Sequence, residues 1–287
     1  MKTASGLALA ALLLVSATPT SAQAPPTPGE APIEALAASF PADPGFVRVG
    51  LWMGRSVSVT DVGALRARAR LLGDDGEVDA FAVDATVDAA ELEGRGRLQV
   101  YGDLVAPPGR YRLELELALG DAVSRATYPF EVPAPTPNRP SVQPPFFLDD
   151  EGLVSAFYEG SPGPSGKEPP ENYPFQAIGE AFVPDISPQI TPDMPRSRVC
   201  LIGRRLSEEK TFLESGLVAS DGTLLSKERL AAVGRDDADA DGYETLCLGL
   251  DTQNLEVGSY QLNVVLHDFE SRWSESTELF FEIVPAS

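Results

Sequence analysis

Three aspartates at alternate positions form the string that comes closest to a metal-binding loop in this sequence. Asp237, Asp239 and Asp241 are followed by Gly242. This matches the first six positions of a calcium loop, in which alternate carboxylates turn towards the cation and glycine permits the sharp turn. The twelfth position, where a glutamate should bind through both oxygens, is Leu248. Half a motif is present, so we favour an acidic, solvated hairpin loop, with a weak Ca2+ site as the alternative.

The two cysteines, Cys200 and Cys247, each lie in the middle of an apolar run that resembles a strand. In an oxidising compartment such a pair usually forms a disulfide; two buried free thiols are the alternative. They are not the pair of an antibody domain, because the position two residues after Tyr260 is Leu262. A catalytic thiol needs a histidine partner, and His267 is the only histidine. We therefore expect a structural disulfide.

Composition excludes several other kinds of function. The 287 residues carry 43 acidic and 22 basic side chains, a net charge of −21, which opposes binding to nucleic acid or to anionic lipid. One histidine and two cysteines are too few for a typical zinc site. The sequence contains no G-x-S-x-G, P-loop or H-E-x-x-H string, and no pair of acids is distinguished by its context as the carboxylates of a glycoside hydrolase. Trp52 and Trp273 are better explained as core aromatics than as a sugar platform.

The first 24 residues predict export. Lys2 precedes an apolar stretch over Gly6–Val15, and two small-x-small cleavage sites follow, at 20–22 and 22–24. This is the pattern of a secretory signal peptide. The cleavage region has no cysteine for a lipid anchor, and no later stretch reaches 18 apolar residues. We therefore expect a periplasmic or extracellular protein without membrane insertion.

Proline-rich segments divide the rest of the chain. A Pro/Ala-rich leader at 25–44 is expected to be extended or disordered, although its apolar end could form a short helix or dock onto a domain. A second segment, 134–144, is so rich in proline that it predicts a stiff linker. The domains are then 45–133 and 145–287. Most of the acidic excess belongs to the second of them.

Each half of the sequence ends in the same pattern. Tyr111 follows Gly109 and precedes leucines at every second position, and Tyr260 follows Gly258 and precedes a similar alternation. Period-two alternation predicts half-buried strands, and the G-x-Y-x-L string is typical of the tyrosine corner of an immunoglobulin-like sandwich. We therefore predict an all-β protein with two tandem immunoglobulin-like β-sandwich domains and little helix. In the second domain the expected strands are 198–204, 212–219, 244–250, 258–267 and 275–284.

Three arginines on one strand offer the only concentrated positive charge. Arg66, Arg68 and Arg70 alternate with apolar residues and therefore share one face. We expect them to pair with Glu114 and Glu116 on a neighbouring strand of an outer sheet face. A basic ligand patch is the alternative, which a net acidic domain disfavours.

The second half also resembles a known group of proteins. The strings YPFQAIGEAFVPDISP (173–188), RVCL (198–201) and LVASDGTL (217–224), together with the tyrosine-corner ending, are similar to the C-terminal region of bacterial von Willebrand factor A-related exported proteins. The resemblance covers about residues 145–285. The A domain of those proteins is absent, since the sequence contains no D-x-S-x-S string. The resemblance thus implies a β-sandwich accessory region and no chemistry.

Taken together, these patterns favour a non-enzymatic exported module of the bacterial cell envelope that binds or scaffolds another envelope or extracellular protein. Two alternatives stay open. One is a sandwich that binds carbohydrate or a surface polymer, for which a solvent-exposed aromatic row would speak. The other is an enzyme with a site of scattered carboxylates, for which a deep cleft with convergent acids would speak.

Overall fold

The computed structural model is built almost entirely of β-strands, which confirms the prediction of an all-β protein with little helix. The predicted signal peptide (1–24) and the aspartates Asp237, Asp239 and Asp241 lie outside the described residues. The single helix within the described part, α1 (Ala89–Leu92), has four residues and is too short to cross a membrane. The structure describes residues 32–42, 44–58, 60–93, 96–134, 140–148, 153–157, 169, 173–177, 180–181, 183–186, 190–192, 197–206, 211–230, 243–253 and 255–285.

Two sheets form the first sandwich. One has the strand order β1-β2-β5-β10 and the other has the order β4-β3-β6-β7. Their facing sides enclose a core of valine, leucine and alanine in which Leu51, Leu65 and Leu117 are fully buried. The strands are β1 (Glu34–Pro41), β2 (Val47–Ser56), β3 (Gly63–Gly73), β4 (Gly76–Val87), β5 (Arg97–Ala106), β6 (Gly109–Leu119), β7 (Ala122–Val132) and β10 (Leu153–Phe157).

Two further sheets form the second sandwich. One contains β16 and β13, with β8 and β9 both pairing to the far side of β13; the other has the order β15-β14-β17-β18. Leu201, Leu248 and Val264 lie in the core between them. A short hairpin, β11 (Gln176–Ala177) with β12 (Glu180–Ala181), stands apart. The strands are β8 (Ser141–Val142), β9 (Phe146–Leu148), β13 (Ser197–Arg204), β14 (Thr211–Ala219), β15 (Leu224–Leu230), β16 (Tyr243–Leu250), β17 (Gly258–Asp268) and β18 (Trp273–Ile283).

The same strand order occurs in both sandwiches. In each, a four-stranded sheet is built from two hairpins whose inner strands pair with each other, β3 with β6 and β14 with β17. In the immunoglobulin constant type the fourth strand joins the first, second and fifth, whereas here β4 and β15 pair with the strand just before them. The β-sandwich prediction is confirmed, and the finer assignment of tandem immunoglobulin-like domains stays a prediction.

A third core joins the sandwiches face to face. The outer side of β2 and β5 packs against the outer side of β13 through a cluster of mostly aromatic side chains. Trp52, Tyr101 and Phe175 are fully buried there, and the ring centroids of Tyr101 and Tyr173 are 4.9 Å apart. The protein is therefore a stack of four sheets, of which the inner two are covered on both sides.

Three segments near the proline-rich stretches contribute strands. The end of the predicted leader is β1, a strand rather than a helix, and it pairs with β2 along its whole length. Within the predicted linker, β8 pairs with β13, and the side chain of Gln143 exchanges two hydrogen bonds with the backbone of Ser39 (2.8 and 2.7 Å). β10 follows the proline-rich segment in the chain but adds in parallel to β5 of the first sandwich. The region between the sandwiches is thus docked onto both.

Candidate binding surface

The predicted disulfide is present in the structure. Cys200 of β13 and Cys247 of β16 are direct cross-strand partners, and their Cα atoms are 4.1 Å apart. Cys200 is completely buried in the third core, whereas Cys247 lies at the exposed edge of its sheet. The bond therefore ties the edge strand to the strand that faces the first sandwich.

The turns before both G-x-Y-x-L strings are closed by a tyrosine hydroxyl. Tyr111 donates a hydrogen bond of 2.7 Å to the carbonyl oxygen of Pro107, and Tyr260 donates one of the same length to that of Glu256. In each case the acceptor lies four residues upstream, in the turn that leads into the strand. These tyrosines thus have a structural role at corresponding places in the two sandwiches.

The exposed face of the first sandwich is a mixed-charge surface. Arg70 and Arg112 both contact the carboxylate of Glu114, at 2.6 and 3.1 Å, and Arg125 contacts that of Glu116 at 2.8 Å. Arginine and glutamate alternate across neighbouring strands, so positive charge is balanced locally. Exposed pairs of this kind add little stability, and this face does not present a basic patch.

The exposed face of the second sandwich is different, because large apolar side chains lie on it. Cross-strand register places Leu224, Val218 and Phe280 in one row, with Gln261 between the last two. Phe280 is 67% exposed and Leu224 is 56% exposed. Leu224 also lies over Gly216, where the missing side chain leaves room for it. We call Leu224, Val218 and Phe280 the apolar row.

Three rings form a second apolar group at the other end of the same face. Phe212 and His267 are direct cross-strand partners, and Phe269 lies two residues beyond His267. The ring centroid of Phe269 is 5.2 Å from that of Phe212 and 6.2 Å from that of His267. Phe269 is 55% exposed. His267 is held by a contact of 3.1 Å between its Nδ1 and the hydroxyl of Ser274. We call Phe212, His267 and Phe269 the ring cluster.

The two groups are far enough apart to form a broad surface. Phe212 and Val218 are six positions apart on β14, a span of about 20 Å along a strand. Between them lies an ion pair in which Nζ of Lys227 is 2.5 Å from a carboxylate oxygen of Glu214. The two apolar groups therefore flank a polar centre on the same sheet face.

Sequence reasoning did not identify this surface, although one signal was available. The two phenylalanines Phe280 and Phe281 are adjacent, and adjacent residues of a strand point to opposite faces. One of them therefore had to lie on the solvent side: Phe281 is buried in the core and Phe280 is exposed. The two tryptophans are not part of the face, since Trp52 is buried in the third core and Trp273 packs against the second.

A polar network inside the stack was also not predicted. The hydroxyl of Tyr101 donates to the carboxylate of Asp103, and Nη2 of Arg48 lies 2.6 Å from the other oxygen of that carboxylate. Burial, together with the charge of Asp103, raises the pKa of Tyr101 far above its usual value of 10.0. The tyrosine is therefore held as a neutral donor. Tyr101 is fully buried in the third core, so this hydrogen bond satisfies a hydroxyl that water does not reach.

Metal-ligating side chains do not converge in the part of the chain that the structure describes. No group of three or more histidine, cysteine, aspartate or glutamate side chains is close enough to hold a metal ion there. The aspartates proposed as a calcium loop, Asp237, Asp239 and Asp241, fall outside those residues, so their role stays a prediction.

Comparison with known proteins identifies no family. No family model matches the chain, and no curated protein matches it. Solved structures match it loosely, and the chain spans about a quarter of their length. A family 123 glycoside hydrolase from Clostridium perfringens is 12% identical, with 34% of this chain and 22% of that chain covered and a TM-score of 0.26. A β-glucuronidase from Bacteroides uniformis is 8% identical, with 82% of this chain and 26% of that chain covered and a TM-score of 0.31. A β-glucuronidase from Parabacteroides merdae is 9% identical, with 82% of this chain and 27% of that chain covered and a TM-score of 0.26.

Proposed function

We propose that this protein is a non-enzymatic, exported binding module that uses the exposed face of the second sandwich to bind another protein of the cell envelope or exterior. The observation that carries the proposal is the exposure of Phe280 on the sheet face and of Phe269 in the turn that follows β17. Large aromatic side chains are the usual energetic anchors of protein interfaces. Burying a phenylalanine fully is worth about 1.5–3 kcal/mol, so leaving two of them in water favours a partner that covers them.

The rest of the architecture suits a scaffold. The four sheets are joined by a third core, and the interface also contains the buried carboxylate of Asp185. A surface built on paired strands keeps its backbone in a fixed position, so little backbone entropy is lost on binding. The charged face of the first sandwich is free of such anchors and would stay in solvent.

Affinity capture with single-residue variants tests this function. Immobilised wild-type protein is exposed to detergent-solubilised envelope of the source cell, and the bound proteins are identified by mass spectrometry. Phe280→Ser should lose the specific partner. Phe46→Ser is the matched control, since Phe46 is 44% exposed but lies in the first sandwich. Equal capture by all three proteins, or loss with Phe46→Ser alone, would contradict the proposed surface.

The ring cluster favours a second candidate, a module that binds carbohydrate or a surface polymer. The exposed Phe269 and the half-buried His267 have ring planes that differ by only 22°, and an exposed ring can stack on the apolar face of a sugar. Binding to purified envelope polysaccharide or peptidoglycan tests this directly. A loss of polymer binding with Phe269→Ala, with Phe280→Ser unaffected, would favour the sugar ligand over the protein partner.

Export is part of the proposal. The disulfide between Cys200 and Cys247 suits an oxidising compartment, and the first 24 residues have the pattern of a signal peptide. The mass of the mature protein, isolated from a fractionated culture, is the direct test. A chain that retains Lys2 and stays with the cytosolic fraction would contradict export.

A further inference from the structure

Arg55 is a charged side chain that points into a hydrophobic core. It is the penultimate residue of β2, and the residues at every second position before it, Leu51 and Met53 among them, line the core of the first sandwich. Strand alternation therefore directs Arg55 inward as well, at the end of the sandwich. It is only 5% exposed.

One edge of the Arg55 guanidinium has no hydrogen-bond partner. Nη1 donates a long hydrogen bond of 3.3 Å to the hydroxyl of Ser124, which is itself completely buried. Nε and Nη2 have no hydrogen-bond partner. These two nitrogens form the side of the guanidinium that presents two parallel N–H groups, the arrangement that binds a carboxylate bidentately.

The nearest candidate counter-charge is committed elsewhere. Asp61 is the carboxylate whose charge acts on Arg55, but one of its oxygens accepts a hydrogen bond of 2.8 Å from the backbone N–H of Ser58 in its own turn. Within the described residues no ion pair joins Arg55 to a carboxylate. Burial outweighs the effect of Asp61 and lowers the pKa of Arg55 from its usual value.

A buried cation with two unused donors is costly. Burying a polar group without a hydrogen bond destabilises the folded state, and burying an unpaired charge destabilises it more. A ligand of opposite charge would remove this cost, and the burial of Arg55, which is only 5% exposed, restricts such a ligand to a small ion.

We propose that the end of the first sandwich contains a binding site for a small monovalent anion, with Nε and Nη2 of Arg55 as its donors and Ser124 beside it. The ligand chemistry is that of a halide or a one-carbon carboxylate. This site is on the opposite sandwich from the proposed binding surface, so the two proposals stand independently.

The test is the dependence of unfolding on anion concentration. Urea unfolding of the full chain is measured while sodium gluconate, which has a much larger anion, is replaced by sodium chloride or sodium formate at constant ionic strength. At an anion concentration ten times the Kd, the unfolding constant should fall about elevenfold. If chloride lowers the unfolding constant more than formate does, the site prefers a halide; the reverse order indicates a carboxylate.

Variants locate the effect. Arg55→Met should abolish the anion dependence, whereas Arg66→Met, which removes an exposed arginine of the same sandwich, should retain it. Asp61→Asn should also retain it. The same dependence of unfolding on anion concentration in the wild type and in Arg55→Met would overturn the site. A dependence seen only in Asp61→Asn would also overturn it, because Asp61 would then be the partner of Arg55 in the wild type.

A measurement on the wild type covers the case in which Arg55→Met does not fold. Crystals grown in sodium bromide should show an anomalous peak within hydrogen-bond distance of Nε and Nη2 of Arg55. Ordered water or empty space there at high bromide concentration would overturn the proposal.

Discussion

Arg97 and Asp185 form a buried ion pair that joins the two sandwiches. Arg97 begins β5 of the first sandwich, while the backbone N–H of Asp185 donates a hydrogen bond of 2.8 Å to Phe147 of the second. Gln99 holds the same segment, because its side-chain amide bonds the carbonyl of Pro184 and the N–H of Ile186, each at 3.0 Å. The sandwiches are therefore fixed by polar contacts as well as by the aromatic core.

We expect Asp185→Ala to be strongly destabilising. Asp185 is 2% exposed and Arg97 is 7% exposed, so the substitution leaves an uncompensated buried charge, which costs about 3–5 kcal/mol. Urea unfolding measures the loss. The matched control is Glu114→Ala, which breaks the largely exposed pairs with Arg70 and Arg112 and should cost about 1 kcal/mol or less. Equal losses of unfolding free energy in the two variants would mean that the buried ion pair contributes no more to stability than the exposed pairs do.

Loss of either tyrosine hydroxyl should have a small and similar cost. Tyr111→Phe and Tyr260→Phe each remove one hydrogen bond to a turn carbonyl, and the net worth of such a bond is about 1 kcal/mol. Chemical denaturation of the two variants and of the double variant provides the measurement. If both single variants matched the wild type, the hydroxyls would not stabilise the turns.

The disulfide should account for a large share of the stability of the second sandwich. Cys200 and Cys247 are separated by 47 positions, for which the chain-entropy model gives about 4 kcal/mol. The double variant Cys200→Ala/Cys247→Ala should lower the free energy of unfolding by up to that amount. Thiol titration of denatured, unreduced wild-type protein should find no free thiol. Two free thiols in protein purified from the periplasm would contradict both the bond and its contribution.

Stability should fall steeply in alkaline solution. Burial raises the pKa values of Tyr101 and Tyr173 in the folded protein well above 10.0, the ordinary value expected after unfolding. The unfolded chain alone therefore loses these protons as the pH rises past 10.0, and the stabilisation present below that pH is lost. Each tyrosine should contribute a slope of about −1.4 kcal/mol per pH unit.

Unfolding by urea at several pH values between neutrality and strong alkali checks this slope. Tyr173→Phe removes one of the two ionising groups, so its curve should be less steep than that of the wild type. A free energy of unfolding that stays constant through pH 10 would show that these rings ionise as readily in the folded state as in the unfolded one.

Strands were predictable from the sequence wherever one face is apolar and the other polar. The expected strands 198–204, 212–219 and 258–267 correspond to β13, β14 and β17, which differ from them by at most one residue at each end. Buried and solvent-facing residues alternate in β14 and β17, so burial on one side fixes the pairing register. β13 was recognisable instead as a short continuous apolar run, because it is covered on both sides. The same local signal placed both cysteines in neighbouring strands and led to the disulfide.

The third core was not predictable in this way. In β1, Ala37 faces one core and Ala38 faces the other, so a strand covered on both sides shows no alternation and resembles a leader. The parallel pairing of β10 with β5 joins segments far apart in sequence, and no local pattern specifies such a partner. Periodicity did not point to the exposed Phe280 either, since an isolated apolar residue on the solvent side does not form a repeating pattern. Its only signal was the adjacent Phe281.

The path of the chain makes it difficult for recombination to separate the two sandwiches. The chain enters the second sandwich at β8, returns to the first for β10 and then crosses again before β13. A recombination event at the proline-rich segment would thus deprive the first sandwich of its edge strand and would expose the aromatic side chains of both partners. Gene fusions and duplications should therefore carry the two sandwiches together, with break points outside the pair.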